Sequence, residues 1–437
     1  MPPPVAPRPT LVRAIGRWDL TAAVVNAVIG SSIFGMPAAL AAAAGALSPL
    51  LIVLVGLGVL AVVLCFAEVA SRFPDPGGPY LYAREAFGPF VGFEAGWLTF
   101  WIRVTALAAS LNVFVEYLAT LLAPASSPLG RALVMAAVVS VVTAINVIGV
   151  RQAAWTVDVF TVAKLAPLAL LVALGLSHIR PEVLATQTVP EPDWTRAILL
   201  LVFAYGGFEA PLIPAAEARD PRRDSAFALL VALGIIASVY LLVQLVILGV
   251  LPRVALARAP LAATYALLLG PLGVTLAASA AMVSISGYAT GTTLQSPRVL
   301  FSMAERGELP GILARVHPRF RTPHVAIFVY SALVLGLAVS GTFETIATAS
   351  AFVRLVTYGL TCAALPVLRR RRPEEEPGFR LAGAGPIAAL GSLSCAWLLT
   401  RSVTQARTLL VLLLLGAGLW VVAGRGRRAA GEAPPPV

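Results

Sequence analysis

The sequence predicts an all-α membrane protein with twelve transmembrane helices. They form a 5+5 inverted repeat with discontinuous helices 1 and 6, plus two C-terminal helices. Three observations carry this reading: apolar runs of membrane-spanning length, a lopsided placement of basic residues, and Gly/Pro interruptions at matching places in the two halves.

The apolar runs come first. Of 437 residues, 59% are apolar and 12% are charged, against about 25% charged in a soluble domain. A run of about 20 apolar residues crosses roughly 30 Å of hydrocarbon. Such runs place spans at approximately 18–43, 46–70, 89–121, 131–149, 154–177, 195–218, 225–250, 270–304, 323–340, 343–367, 382–402 and 406–424. The third and eighth are over-long, which suits tilt or extension beyond the bilayer.

The formal net charge is +11. With the spans drawn as above, 22 of the 32 basic residues fall on the side of the termini and 7 on the other, leaving Arg103, Lys164 and Arg354 inside spans. Basic residues mark cytoplasmic loops, so both termini are expected in the cytoplasm of a cell-membrane protein. Short basic loops between apolar spans read as topology signals, so membrane lipid and not nucleic acid is the expected partner. Cys65, Cys362 and Cys395 are dispersed in apolar stretches, and His178, His317 and His324 stand singly. No metal or disulfide spacing is visible, and no cofactor is expected. The chain divides into a cytoplasmic N-terminal tail (1–17), a first five-helix repeat (18–177), a second (195–367), helices 11 and 12 (382–424) and a cytoplasmic C-terminal tail (425–437).

The third observation bears on chemistry. The first span contains Gly30, Ser31, Ser32, Gly35 and Pro37 within eight residues, and the sixth contains Gly206, Gly207, Pro211 and Pro214. Interrupted helices at membrane depth survive where they line a cavity or are buried in protein. Paired interruptions in corresponding spans point to a carrier's binding site. A half-helix beginning after Gly30 presents the N–H groups of Ser31, Ser32 and Ile33, which suit a carboxylate. Carbonyls freed near Val28, Phe203 and Ala204 suit an ammonium. The opposing explanation is packing, since small residues also mediate helix contacts.

Four segments resemble one known family. Gly30-Ser31-Ser32-Ile33-Phe34-Gly35 is similar to the G-[ST]-[GS]-I-F signature of the amino acid–polyamine–organocation superfamily. Phe203-Ala204-Tyr205-Gly206-Gly207-Phe208-Glu209 is similar to its helix-6 motif, and Ala216-Glu217-Ala218-Arg219-Asp220-Pro221 to the end of that helix. Residues 297–310, from Pro297-Arg298 to Leu309-Pro310, resemble its loop after helix 8. The resemblance covers roughly 18–370. It implies the LeuT-type fold, alternating access, and an amino acid or polyamine held between helices 1, 3, 6, 8 and 10. Two departures stand out. Gly206 takes a position where many relatives carry a larger aliphatic residue, which would enlarge the side-chain pocket. Arg306 replaces the loop's aspartate.

Ionisable residues inside spans are functional candidates. Lys164, the chain's one lysine, lies in the fifth span. The resemblance puts it where sodium-coupled relatives hold an ion. It is a candidate for coupling to protons, for replacing sodium in an exchanger or for gating, with a structural tether to the first break as the second reading. Glu209 is read either as a gating acid or as a half-helix cap. Arg103 and Arg354 are expected to pair with acids, with contact to an anionic group as the second reading. Glu68 and Glu116 are expected at the interface. Phe203 is expected as an aromatic lid or a core ring, with Tyr205 and Tyr288 as weaker pocket candidates. The basic run at 369–372 is read as a cytoplasmic stop with lipid contact. The substrate-binding set is thus Val28, Gly30, Ser31, Ser32, Ile33, Phe203, Ala204, Tyr205 and Gly206, and the coupling or gating set is Lys164, Glu209, Phe203 and Arg103.

The expected function is secondary active transport of an amino acid, small or medium and neutral, by proton symport or substrate exchange. The alternatives are a polyamine or cationic amino acid carrier and a non-transporting sensor of the same fold. No cluster of nucleophile, base and acid supports an enzyme.

Overall fold

The computed structural model describes residues 16–73, 78–148, 155–211, 220–374 and 377–429. Among these the regular structure is helical. The first predicted span is two helices, α1 (Arg17–Val28) and α2 (Ser32–Ala44), followed by α3 (Ser48–Arg72). A short helix absent from the sequence reading, α4 (Gly78–Phe87), precedes α5 (Pro89–Ala119), α6 (Pro128–Ile148), α7 (Trp155–Gly175) and the single turn α8 (Pro181–Ala185). Then come α9 (Trp194–Tyr205), α10 (Pro221–Val250) and α11 (Pro260–Glu305). The chain closes with α12 (His324–Ser340), α13 (Phe343–Arg371), α14 (Ala384–Leu399) and α15 (Val403–Ala429). Seven apolar helical stretches are long enough to cross a bilayer, and shorter apolar helices run over Lys164–His178, Trp194–Tyr205, His324–Ser340 and Ala384–Leu399. The protein is a multi-pass membrane protein.

Layering follows from which helices meet lipid. α5 is buried along nearly all its length and packs against α4, α11, α12 and α13, forming the centre. α6 and α15 are peripheral and expose Leu129, Leu133, Val141, Leu414 and Val422. Large apolar side chains on the outside are stable here because the surrounding solvent is hydrocarbon.

Helix ends obey local chemistry. Asp220 caps α10 by accepting from the Arg223 N–H at 3.3 Å, with Pro221 at the first helical position. The sixth span's continuation through Pro214, and residues 216–219 of its motif, lie outside the described residues. α11 begins ten residues earlier than the sequence suggests. Gly270 adopts φ 62° there and kinks the helix before Pro271, so the apolar pattern restarts at the kink.

Two electrostatic expectations change. Glu68 is fully buried rather than interfacial. It accepts from Arg72 at 2.8 Å, from Arg369 at 2.6 and 2.8 Å, and from the Leu381 N–H at 2.8 Å. A buried carboxylate persists when its lone pairs are filled this completely. The basic run at 369–372 therefore does more than stop a helix: Arg369 binds Glu68, and Arg372 pairs with Glu85 at 2.5 Å. Glu116 pairs with Arg131, both partly exposed.

Candidate functional site

The first break is short. α1 ends at Val28 and α2 begins at Ser32 with Ser31 as its cap. The first N–H groups of a helix have no partner inside it. Among the described residues, those of Ser31, Ser32 and Ile33 find no acceptor, whereas Phe34 and Gly35 donate to the Ser31 carbonyl. The second break follows Tyr205. Gly206 is extended, and Gly207 turns with φ 113° where a side chain would be strained. A Cβ on Gly207 would also lie 3.0 Å from the Ala27 carbonyl oxygen. The two breaks therefore touch through backbone.

Tyr240 of α10 ties them together. Its hydroxyl lies 2.9 Å from Ser32 Oγ, and 2.8 Å and 3.2 Å from the carbonyls of Ala204 and Val28. One O–H serves one acceptor at a time, so the hydroxyl is shared between the two breaks. Sequence reasoning missed Tyr240, because a tyrosine within an apolar run carries no pattern that separates a core ring from a bridge. Ser31 Oγ meets Ser110 Oγ of α5 at 2.7 Å, fixing the other side of the first break.

Between the breaks lies a cavity of about 430 Å³, inside the usual range for a small-molecule site. Val28, Gly30, Ser31, Ser32, Phe203 and Gly206 of the predicted set line it. Lys164, Glu209, Arg103 and Arg354 line it too, as does Tyr288. The structure does not bring Ile33, Ala204 and Tyr205 to the lining: Ile33 and Ala204 are fully buried, and the Tyr205 hydroxyl turns away to donate to the Ile52 carbonyl at 2.8 Å. The backbone N–H of Ile33 and carbonyl of Ala204 still belong to the break. The cavity continues past Ala23 and Asn26 of α1, the N-terminal half of the first predicted span. Toward the other face, Phe203 packs edge-on against Phe343 at 5.9 Å.

Lys164 is 3% exposed, and its ammonium donates to the carbonyls of Asn26 at 2.9 Å and Ile29 at 3.0 Å. It thus fills the acceptors that unwinding frees at the end of α1. Glu209 Oε2 accepts from the Gly207 N–H at 3.0 Å and the Tyr358 hydroxyl at 3.1 Å.

The arginines differ from expectation. Neither Arg103 nor Arg354 comes within ion-pairing distance of a carboxylate among the described residues. Glu209 is the acid facing both across space. Gly206 does not enlarge the pocket either, because a Cβ there would sit 1.3 Å from Arg354 Nη1. The volume the missing side chain releases is filled by the guanidinium.

Comparison with known proteins adds identity to this geometry. The sequence matches the family described as "Amino acid permease" over residues 15–422. The chain belongs to the amino acid permease family. The permease is 30% identical over 440 residues to the serine/threonine exchanger SteT of Bacillus subtilis (strain 168), covering 96% of this chain and 98% of that one. It is 29% identical over 401 residues to the large neutral amino acids transporter small subunit 2 of Rattus norvegicus, covering 87% and 74%. It is 25% identical over 408 residues to the methylthioribose transporter of B. subtilis (strain 168), covering 89% and 88%.

The permease's loop after α11 also gains a role. Arg84 and Tyr80 of α4 meet Glu308 at 3.4 and 3.3 Å, and Arg306 donates to the Tyr80 hydroxyl at 2.7 Å. The arginine that replaces the family's aspartate is therefore part of a contact between α4 and this loop.

Proposed function

We propose that this permease is a secondary transporter that binds an α-amino acid in the cavity between the two breaks and moves it by alternating access. The free N–H groups of Ser31 and Ser32, which line that cavity at the positive end of α2, carry the reading, with the free N–H of Ile33 next to them in the same turn. They receive the substrate carboxylate. The second lone pairs of the Val28, Phe203 and Ala204 carbonyls receive its ammonium. Phe203 against Phe343 is the closed gate, and the open path runs along α1 past Ala23 and Asn26.

The remaining topology follows the same reading. α1 with α2 makes one crossing. α3, α5, α6, α7, α9 with its continuation, and α10 to α15 complete twelve, as a 5+5 inverted repeat plus two. The 22 to 7 distribution of basic residues supports a cell-membrane protein with both termini in the cytoplasm, and in that orientation the cavity faces the cytoplasm. Lys164 stands in the place of a coupling cation and links the first break to α7. Coupling is by proton symport or by exchange. A polyamine cargo is disfavoured, because among the described residues it would share the cavity with three cationic side chains and one carboxylate.

Uptake of a panel of labelled amino acids into proteoliposomes tests this. At least one amino acid is expected to enter faster than into protein-free vesicles. A pH gradient or an internal amino acid should accelerate it. If no amino acid moves under any gradient, the carrier reading fails. Lys164→Ala is expected to lower uptake at least tenfold and to abolish its response to a pH gradient. An unchanged response would leave Lys164 as a tether only.

A further inference from the structure

We propose that Arg354, with Arg103, forms a second anion subsite in the cavity, and that the cargo is an α-amino acid with a carboxylate side chain, glutamate- or aspartate-like. This rests on the amino acid reading above and replaces the neutral cargo that the sequence suggested.

Arg354 is 3% exposed, and its Nε and Nη1 are buried with no hydrogen-bond partner. A buried donor without an acceptor is costly, and a charged one more so. The same side chain lines the cavity. Its position is built: Gly206 is bare where Nη1 lies, and Tyr358 and Tyr288 flank the guanidinium. Arg103 lines the same cavity from α5, and its guanidinium makes no hydrogen bond or ion pair with a described residue.

Among the described residues the cavity presents Arg103, Arg354 and Lys164 against Glu209. Glu209 is occupied on one oxygen by the Gly207 N–H and the Tyr358 hydroxyl. A zwitterionic α-amino group and carboxylate bring no net charge. A second carboxylate brings the missing acceptor and the missing anion together, and a guanidinium offers it paired N–H donors in fork geometry. An amide or aliphatic side chain would leave the positive excess uncompensated. A cationic side chain would add to it.

Competition in proteoliposomes decides the matter. The labelled amino acid that the permease moves best is challenged with unlabelled glutamate, aspartate, glutamine and asparagine. The acids are expected to inhibit at concentrations at least tenfold lower than their amides. Arg354→Gln is expected to erase that tenfold preference, and Arg354→Lys to retain part of it, with each variant checked for monodisperse elution. Arg103→Gln supplies a second variant should Arg354→Gln fail to fold, and the wild-type comparison stands without either. If glutamine or another neutral amino acid competes as well as glutamate while uptake persists, the anion subsite is wrong and the carrier reading stands. If no amino acid is taken up and none raises the protein's melting temperature, both fall.

Discussion

Gly206 and Arg354 act as one unit at the residue scale. The sequence shows the glycine but not what fills its space, since residues 148 positions apart meet only in the fold. Gly206→Ala places a Cβ 1.3 Å from Arg354 Nη1, so the guanidinium must leave. The expected result is loss of at least nine-tenths of uptake. The accompanying loss of thermal stability is smaller when Arg354 is already alanine, a non-additivity that a double-mutant cycle in melting experiments reads directly. Tyr240→Phe removes the hydroxyl shared by Ser32, Val28 and Ala204. Leaving buried acceptors unmet costs about 1–3 kcal/mol, to be seen as a lowered melting temperature and slower uptake. The glycines and serines of both breaks were legible because they weaken a helix wherever they occur. Tyr240 was not, because its role depends on where α10 packs.

The elements divide in the same way. The long apolar helices were legible from composition, and their boundaries mostly fall within a few residues of the predicted ones. α4 was not, because its ten residues carry too little apolar length to register as a span. The early start of α11 was hidden by its own kink. The burial of Glu68 was also invisible: three of its partners, Arg72, Arg369 and the Leu381 N–H, come from α3, α13 and the segment before α14. Glu68→Gln should therefore destabilise the contact between those segments. Breaking a buried ion pair costs about 3–5 kcal/mol, so thermal melting in detergent should fall by several degrees, with transport reduced only in proportion to folded protein. An unchanged melting temperature would show that the cluster contributes nothing to stability.

At the scale of the molecule, apolar exterior and polar interior are inverted relative to a water-soluble fold. The exposed leucines of α6 and α15 face lipid, while serines, lysine, arginines and a glutamate surround the cavity at the centre. The bilayer supplies the stability of the outside, and the two helix breaks supply a polar chamber within it. The presence of that chamber was legible from the paired interruptions. Its charge was not, because Arg103 and Arg354 read first as members of ion pairs, and only the fold shows that neither reaches a carboxylate among the described residues. The central claim is that the chamber reads both ends of an α-amino acid. Competition of labelled amino acid uptake by three compounds tests it most directly: the intact amino acid, its decarboxylated amine and its deaminated acid. The intact amino acid is expected to inhibit at least tenfold more strongly than either truncated compound, because each leaves one broken helix end unmatched. Equal inhibition by the amine or the acid would contradict the assignment of the breaks as the binding site.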